Sequence, residues 1–311
     1  MASFGPEVTH RVENDWDVWT VTHPNALTQI AGYLRFTTSG GRALYRGQSI
    51  MLPTMLPTAL RPRSADRPDV SDAQLTSHAS NLSTFVNKLF GDACKCRSEI
   101  RKYGNIHHCS ERAAGKSGPI VSGTYRAAVE PLLQHYGIRT RWIDVVDNIW
   151  IALWFACHDQ ISKGRFAHHE RRSPAQAEDP AYAYIYVFET GVLSDTEVPG
   201  YHLGSGVRLV DLRYCVPSVY LRPHAQHGLL LAPRTLERHG SKPLGSLASQ
   251  VAGIIEVKLE DALTWLGSGH MNSTHVLFPP ATRDEGYRRL LEMTATPAVN
   301  LGSITIYGPG I

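Results

Sequence analysis

Between Leu132 and Ile151 the chain reads LLQHYGIRTRWIDVVDNIWI, which places His135, Tyr136, Arg139, Arg141, Asp144 and Asp147 in an otherwise apolar stretch. These side chains can move protons or hold phosphate. An apolar run from Ile149 to Cys157 follows at once. Burying so many polar groups beside a core segment is costly unless each finds a partner. Sequences accept that kind of local conflict chiefly at functional sites, so the chemistry is expected here. Asp144 is placed to fix Arg141, and Tyr136 to stack on a planar ring or offer its hydroxyl. The competing reading is a buried salt bridge that pins a turn, because structural ion pairs perturb titration as readily as catalytic ones do.

Other clusters carry comparable chemistry. In Tyr45-Arg46-Gly47-Gln48 an arginine at a strand end can aim a bidentate fork at phosphate, or can serve a structural ion pair. In Leu221-Arg222-Pro223-His224-Ala225-Gln226-His227-Gly228 polar groups precede an apolar strand. Sheet ends of that kind often bind ligands, although a solvated loop has the same look. Phe278-Pro279-Pro280 is followed by Asp284-Glu285-Gly286-Tyr287, and acidic residues at a helix start also complement the dipole. Cys94-x-Cys96 with His107, His108 and Cys109 has zinc-compatible types, but the cysteine spacing is tight and no second pair follows, so metal binding stays open. No Walker or dinucleotide glycine loop follows any expected strand, and no G-x-S-x-G elbow occurs.

The elements that must position these groups follow from periodicity. Helices are expected over Asn25–Arg35, Gln74–Phe90, Tyr125–His135, Asn148–Ile161 and Glu285–Met293. A short strand, Ala43–Arg46, is expected to stop at Gly47, and Leu52–Arg63, with its repeated Leu-Pro-Thr, to be an extended loop. Gly91–Gly118, polar and basic, reads as either an irregular insertion or a mobile lid, and Lys163–Pro180 as an exposed loop. Strands are expected over Ala183–Glu189, Val207–Leu212, Gly228–Ala232, Gly253–Leu259 and Ser303–Tyr307. Helices lead and strands follow, which favours one α+β domain over an alternating parallel fold.

The whole chain of 311 residues, 42% apolar and 19% charged, is an ordinary globular composition. A net charge of +3 excludes a polybasic protein but leaves room for a local nucleic-acid patch. An odd set of five cysteines argues for reduced thiols. The first residues lack a basic then apolar leader, and the longest apolar run is about half the ~20 residues of a membrane span. A soluble cytoplasmic protein without membrane contact is expected.

Taken in order, the clusters resemble the FRG family, named for its aromatic-Arg-Gly motif. Tyr45-Arg46-Gly47-Gln48 is similar to the founding motif. Gln134 to Asp144, with Asn148 and Ala152-Leu153-Trp154-Phe155-Ala156, is similar to the central block. Arg222 to Gly228 resembles the later Arg-and-Gln segment, and Leu277-Phe278-Pro279 with Gly286-Tyr287 the closing block. The resemblance spans about residues 25–295, with 1–24 an N-terminal extension and 296–311 a terminal strand of the same domain. An acidic residue commonly follows Phe-Pro in the family, whereas here Pro280 does, which leaves the catalytic carboxylate open.

A weaker resemblance links the aromatic-Arg-Gly strand end to ADP-ribosyltransferases of the arginine-serine-glutamate class. It implies a single α+β domain with a split, mostly antiparallel sheet, and NAD as co-substrate held without a Rossmann loop. Arg46 would clamp the pyrophosphate, with Gln48, His135, Arg222 and Gln226 nearby. Tyr136 would line the nicotinamide pocket, braced by Arg141 and Asp144. Glu285, or less favourably Glu256, would stabilise positive charge on the ribose. The role implied is a toxin or antiphage effector that modifies RNA or other nucleic acid in preference to protein, with a neutralising antitoxin as partner. The basic residues between Lys95 and Lys116 favour nucleic acid. Binding without turnover and NAD hydrolysis are the alternatives.

Overall fold

The computed structural model describes residues 4–38, 40–61, 123–176, 181–196, 198–216, 218, 220–234, 245–267, 273–292 and 302–308. The expected helix Gln74–Phe90, the Gly91–Gly118 segment with Cys94, Cys96, His107 and Cys109, and the basic residues from Lys95 to Lys116 lie outside the described residues.

In chain order the elements are β1 (Val8–Glu13), β2 (Trp16–Val21), α1 (Pro24–Thr37), β3 (Ala43–Gln48), α2 (Gly123–His135), β4 (Ile143–Val146) and α3 (Ile149–Ala156). Next come β5 (His158–Lys163), β6 (Phe166–Arg171), β7 (Tyr182–Glu189), β8 (Ser194–Asp195), β9 (Tyr201–Leu203) and β10 (Val207–Asp211). The chain continues with α4 (Leu212–Cys215), α5 (Leu221–Ala225), β11 (Gly228–Pro233), β12 (Val251–Lys258), α6 (Leu259–Leu266), α7 (Thr274–Leu277), α8 (Glu285–Glu292) and β13 (Ile306–Tyr307). They make one α+β domain.

Ten strands form an open sheet in the order β1-β2-β12-β7-β3-β4-β11-β10-β9-β8, antiparallel except where β2 lies parallel to β12. A second sheet of three strands runs β13-β6-β5.

Side-chain alternation explains why the central strands read as unbroken apolar runs. Tyr186, Phe188, Leu229, Leu231 and Ile254 pack into one core cluster, while Ile185, Val187 and Ile255 pack on the other side with α1, α3 and α6. Leu230 and Ala232 join a third cluster with α2 and α8. Successive residues point to opposite faces, so a sheet covered on both sides needs apolar residues at consecutive positions.

Several boundaries differ from the sequence expectation. The first 24 residues are not a detached extension: β1 and β2 belong to the main sheet, and Val18, Trp19, Thr20 and Val21 pair with β12. Strand β3 runs through Gly47 to Gln48. The glycine is there for close approach, since a Cβ at position 47 would lie 1.8 Å from the Ala152 carbonyl oxygen on α3.

Helix α3 ends at Ala156 rather than near Ile161. The Cys157 N–H closes on Leu153 and Trp154, and the His158 ring takes the Trp154 carbonyl at 2.7 Å. The chain then continues as the largely exposed β5, turns at Gly164 in a left-handed conformation, and returns as β6 within the segment expected to be loop. The terminal strand is short and pairs with β6 through Ile306 and Tyr307.

Candidate functional site

Strands β3 and β4 are joined at a single register pair, Tyr45 with Val146. At this joint a cavity of about 600 Å³ opens, lined by residues 45–49 of β3 and its exit and by Asp144 to Val146 of β4. The size falls within the range of small-molecule and cofactor sites. The lining includes three arginines, Arg46, Arg61 and Arg139, and a group of rings, Phe155, His158, His169, Phe278 and Tyr307.

Asp144 is the hub of the polar lining. Its Oδ1 accepts from His135 Nδ1 at 3.1 Å, and its Oδ2 accepts from Gln134 Nε2 at 3.0 Å. The amide of Gln134 is oriented from behind, because its Oε1 accepts from the hydroxyls of Thr140 at 2.8 Å and Thr58 at 3.2 Å. Arg46 donates to the Asp144 backbone carbonyl at 2.6 Å, while its Nε is buried without a partner.

Burial pushes the Asp144 carboxyl up. The hydrogen bond and charge of His135, followed by Arg46 and Gln134, outweigh burial and hold it below the usual carboxylate value. Its side chain is 37% exposed, against 3% for His135. An ionised carboxylate therefore stands on the cavity wall, backed by a buried histidine.

Burial lowers the Arg46 guanidinium to about 10, and the nearby Arg61 pushes it the same way. Burial also lowers Arg61, aided by Arg139 and opposed by Asp144. Guanidiniums lowered by burial and by a neighbouring guanidinium leave positive charge that an anion relieves.

The turn after α2 fixes this arrangement. Gly137 has φ +105°, and a Cβ there would lie 1.9 Å from Thr305 Oγ1. Glycine is the residue that tolerates both. The Thr305 N–H then bonds the Tyr136 carbonyl at 2.9 Å, which binds the C-terminal segment to the site.

Of the residues singled out from the sequence, Arg46, Gln48, His135, Asp144 and Gln226 line the cavity. Tyr136, Arg141, Arg222, Glu285 and Glu256 do not. Tyr136 is fully buried, stacks on Tyr287, and donates its hydroxyl to Asp284 at 2.8 Å. Arg141 pairs with Glu130 at 2.8 Å rather than with Asp144. Arg222, also fully buried, lies 4.5–4.6 Å from the ring centres of Tyr136, Tyr287 and Tyr307 and donates to the His135 carbonyl. It braces the wall from behind. Glu285 is held by Arg288 and Arg289 on the surface of α8, and Glu256 by Arg11 and Thr20 on β12.

Residues absent from the sequence reading of the site are Arg61, Phe155, His158, His169 and Tyr307. The alternation on either side of Gly164, Asp-Gln-Ile-Ser-Lys then Arg-Phe-Ala-His-His-Glu, was the hairpin signal that could have found His158 and His169. Arg61 stands in an irregular stretch that carries no periodic signal. Among the described residues no helix is long and apolar enough to cross a membrane, and no group of three or more His, Cys, Asp or Glu side chains could hold a metal ion.

Residues 41–165 match the family model of the FRG domain, a stretch that contains β3, the Asp144 hub and α3. Neither the curated proteins nor the solved structures searched contain a match.

Proposed function

Starting from a chain that carries an FRG domain, we propose that the cavity binds NAD and that the protein transfers ADP-ribose from it to a macromolecular acceptor. The observation that carries the reading is the buried Arg46 guanidinium, lowered by burial and by Arg61, which lines one cavity with Arg61 and the ionised Asp144 carboxylate. Arg46 keeps an unpartnered buried Nε there. A pyrophosphate supplies the missing negative charge and the acceptor oxygens.

NAD supplies an ADP-ribosyl group whose leaving group is neutral nicotinamide. Arg46 and Arg61 hold the phosphates and fix the ribose in position. Asp144, rather than Glu285 or Glu256, stabilises the positive charge that develops on the ribose carbon, because it is the ionised carboxylate beside the arginines. As the acceptor's nucleophile bonds to that carbon, its proton passes to Asp144. His135 and Gln134 keep that carboxylate ionised and oriented.

A nucleic-acid acceptor, RNA first, is favoured over protein by the cationic residues Lys95, Arg97, Arg101, Lys102, Arg112 and Lys116. An enzyme of this kind would act as a toxin or antiphage effector and would call for a neutralising partner. Binding without turnover is the second reading. It is favoured by the positions of Glu285 and Glu256, both away from the cavity.

The test incubates the protein with labelled NAD and separate pools of RNA, DNA and protein, scoring transferred label and free nicotinamide. Label on one pool, retained by Glu285→Gln and lost by Asp144→Asn, supports the transferase with Asp144 as its carboxylate. Loss in Glu285→Gln with retention in Asp144→Asn would overturn that assignment. Nicotinamide release without labelled polymer would mean hydrolysis, and NAD binding with neither signal would mean a binding module.

A further inference from the structure

We propose that the part of the cavity lined by Phe155, His169, Phe278 and Tyr307 is a base subsite, which takes the planar nitrogen heterocycle of a nucleotide whose phosphates lie against Arg46 and Arg61. The proposal rests on the reading of this cavity as a nucleotide site and adds which residues select the ring.

His169 carries the argument. It stands on β6 opposite Gln160, is 8% exposed, and lines the cavity. Both of its ring nitrogens are buried, and neither has a hydrogen-bond partner. Buried polar side chains are seldom left unpaired, and a pair of such atoms on one cavity-lining ring points to a partner from outside the chain. Burial, with His158, Arg222 and His168 acting in the same direction, lowers His169 to about 3. The ring is therefore neutral, with one N–H donor and one acceptor nitrogen. That is the complement of a carboxamide or an amino-heterocycle edge, which also offers both.

The surroundings of His169 suit a flat ligand. Its ring centre lies 4.3 Å from that of Phe278 and 5.8 Å from that of Tyr307, whose plane is 1° from its own. Phe155 meets Phe278 edge-on at 6.1 Å. Aromatic groups at these separations prefer offset or edge-to-face contact with another ring, and base–aromatic stacking tolerates any heterocycle with a π-face. Tyr307 is itself held by Arg222, 4.5 Å from its ring centre, so the wall is rigid. His169, Phe278 and Tyr307 all lie outside the stretch that matches the FRG model, whereas Arg46, Arg61 and Asp144 lie within it. Apart from Phe155, which lies within the match, the rings of the subsite thus come from a different part of the chain than the phosphate-binding arginines.

The experiment compares AMP, nicotinamide mononucleotide and ribose 5-phosphate by titration calorimetry on the full chain. The same titrations are made on His169→Phe and His169→Ala, with thermal melts to confirm folding. Wild type is expected to bind at least one base-bearing ligand about tenfold more tightly than ribose 5-phosphate, the worth of one well-made buried hydrogen bond with some stacking. His169→Phe keeps the flat surface and should lose most of that ratio, and His169→Ala all of it. Should His169→Ala fail to fold, the phenylalanine variant and a shift of the wild-type His169 imidazole resonances on AMP addition decide.

A wild type that prefers no base-bearing ligand overturns the subsite, whether or not NAD is turned over. So does a preference unchanged in the variants, which would make His169 a core residue satisfied by ordered water. Base-dependent binding lost with His169 but without NAD turnover upholds the subsite while overturning the transferase.

Discussion

Gly47 offers the sharpest test of how the site is assembled. A methyl group at this position would meet the Ala152 carbonyl oxygen at 1.8 Å, the Ala156 nitrogen at 2.7 Å and the Ala152 carbonyl carbon at 2.9 Å. Ordinary contact begins near 3.4 Å, so α3 would have to retreat by about 1.6 Å. The obstructing atoms are helix backbone, which cannot rotate aside. Overpacking of well-filled cores costs about 1–3 kcal/mol, and a backbone obstruction on this scale belongs at the upper end, about 3 kcal/mol. That corresponds to a melting temperature lower by on the order of 6 °C. Urea denaturation of Gly47→Ala measures the change.

Gly32→Ala is the matching control. Gly32 lies inside α1, where an added Cβ meets nothing within 4 Å, so alanine there should stabilise by about 0.5–1 kcal/mol. A Gly47→Ala protein within about 1 kcal/mol of wild type would refute the tight packing of α3 against β3.

Other outcomes follow from the buried groups. Asp144 holds its proton less readily when folded, so its contribution to stability is complete above the ordinary carboxylate range and is lost as pH falls below 3.8 through the folded value. Asp144→Asn should flatten the acid limb of the stability curve. His169 is lowered from 6.5 to about 3, so between these values the unfolded chain binds the extra proton and stability rises with pH, by up to about 1.4 kcal/mol per unit. Its imidazole resonances should not titrate between pH 5 and 8, and His169→Phe should remove that slope. Tyr136→Phe deletes a buried hydrogen bond to Asp284 and should cost about 1–3 kcal/mol in urea melts while leaving ligand affinity unchanged.

Much of the scaffold could be read from the residues, because both periodicities were clean. Helix α1 and strands β7, β10, β11 and β12 lie within a few residues of where their apolar patterns placed them. The exceptions have identifiable causes. Trp16 and Val18 alternate with exposed Asp17, a faint half-buried strand that looks like a polar leader when read alone. Around the cavity, the sequence clusters supplied Arg46, His135 and Asp144, which the fold brings together on one wall. The sequence reading paired Arg141 with Asp144, although Glu130 from one turn earlier in α2 reaches Arg141 first. Tyr136 and Arg222 were read as ligand contacts because their chemistry permits it. Only the packing shows Arg222 enclosed by aromatic rings and the Tyr136 hydroxyl already engaged. Arg61 reaches the cavity from an irregular stretch with no periodic signal, and the hairpin that carries His169 is brought there by long-range folding.

The single rung between Tyr45 and Val146 has a mechanical consequence. Neighbouring pairs in the sheet share longer ladders, such as β3 with β7 over six registered pairs and β4 with β11 over four. The main-chain ladder of the ten strands therefore divides into two longer plates joined by one rung, with the Arg46 hydrogen bond to the Asp144 carbonyl beside it. The cavity straddles it, with Arg46 on one plate and Asp144 on the other. A ligand that touches both adds a further fastening, so occupancy is expected to stiffen the joint. Amide exchange at Tyr45 and Val146 would register this first, slowing on binding more than exchange in the interior of either plate.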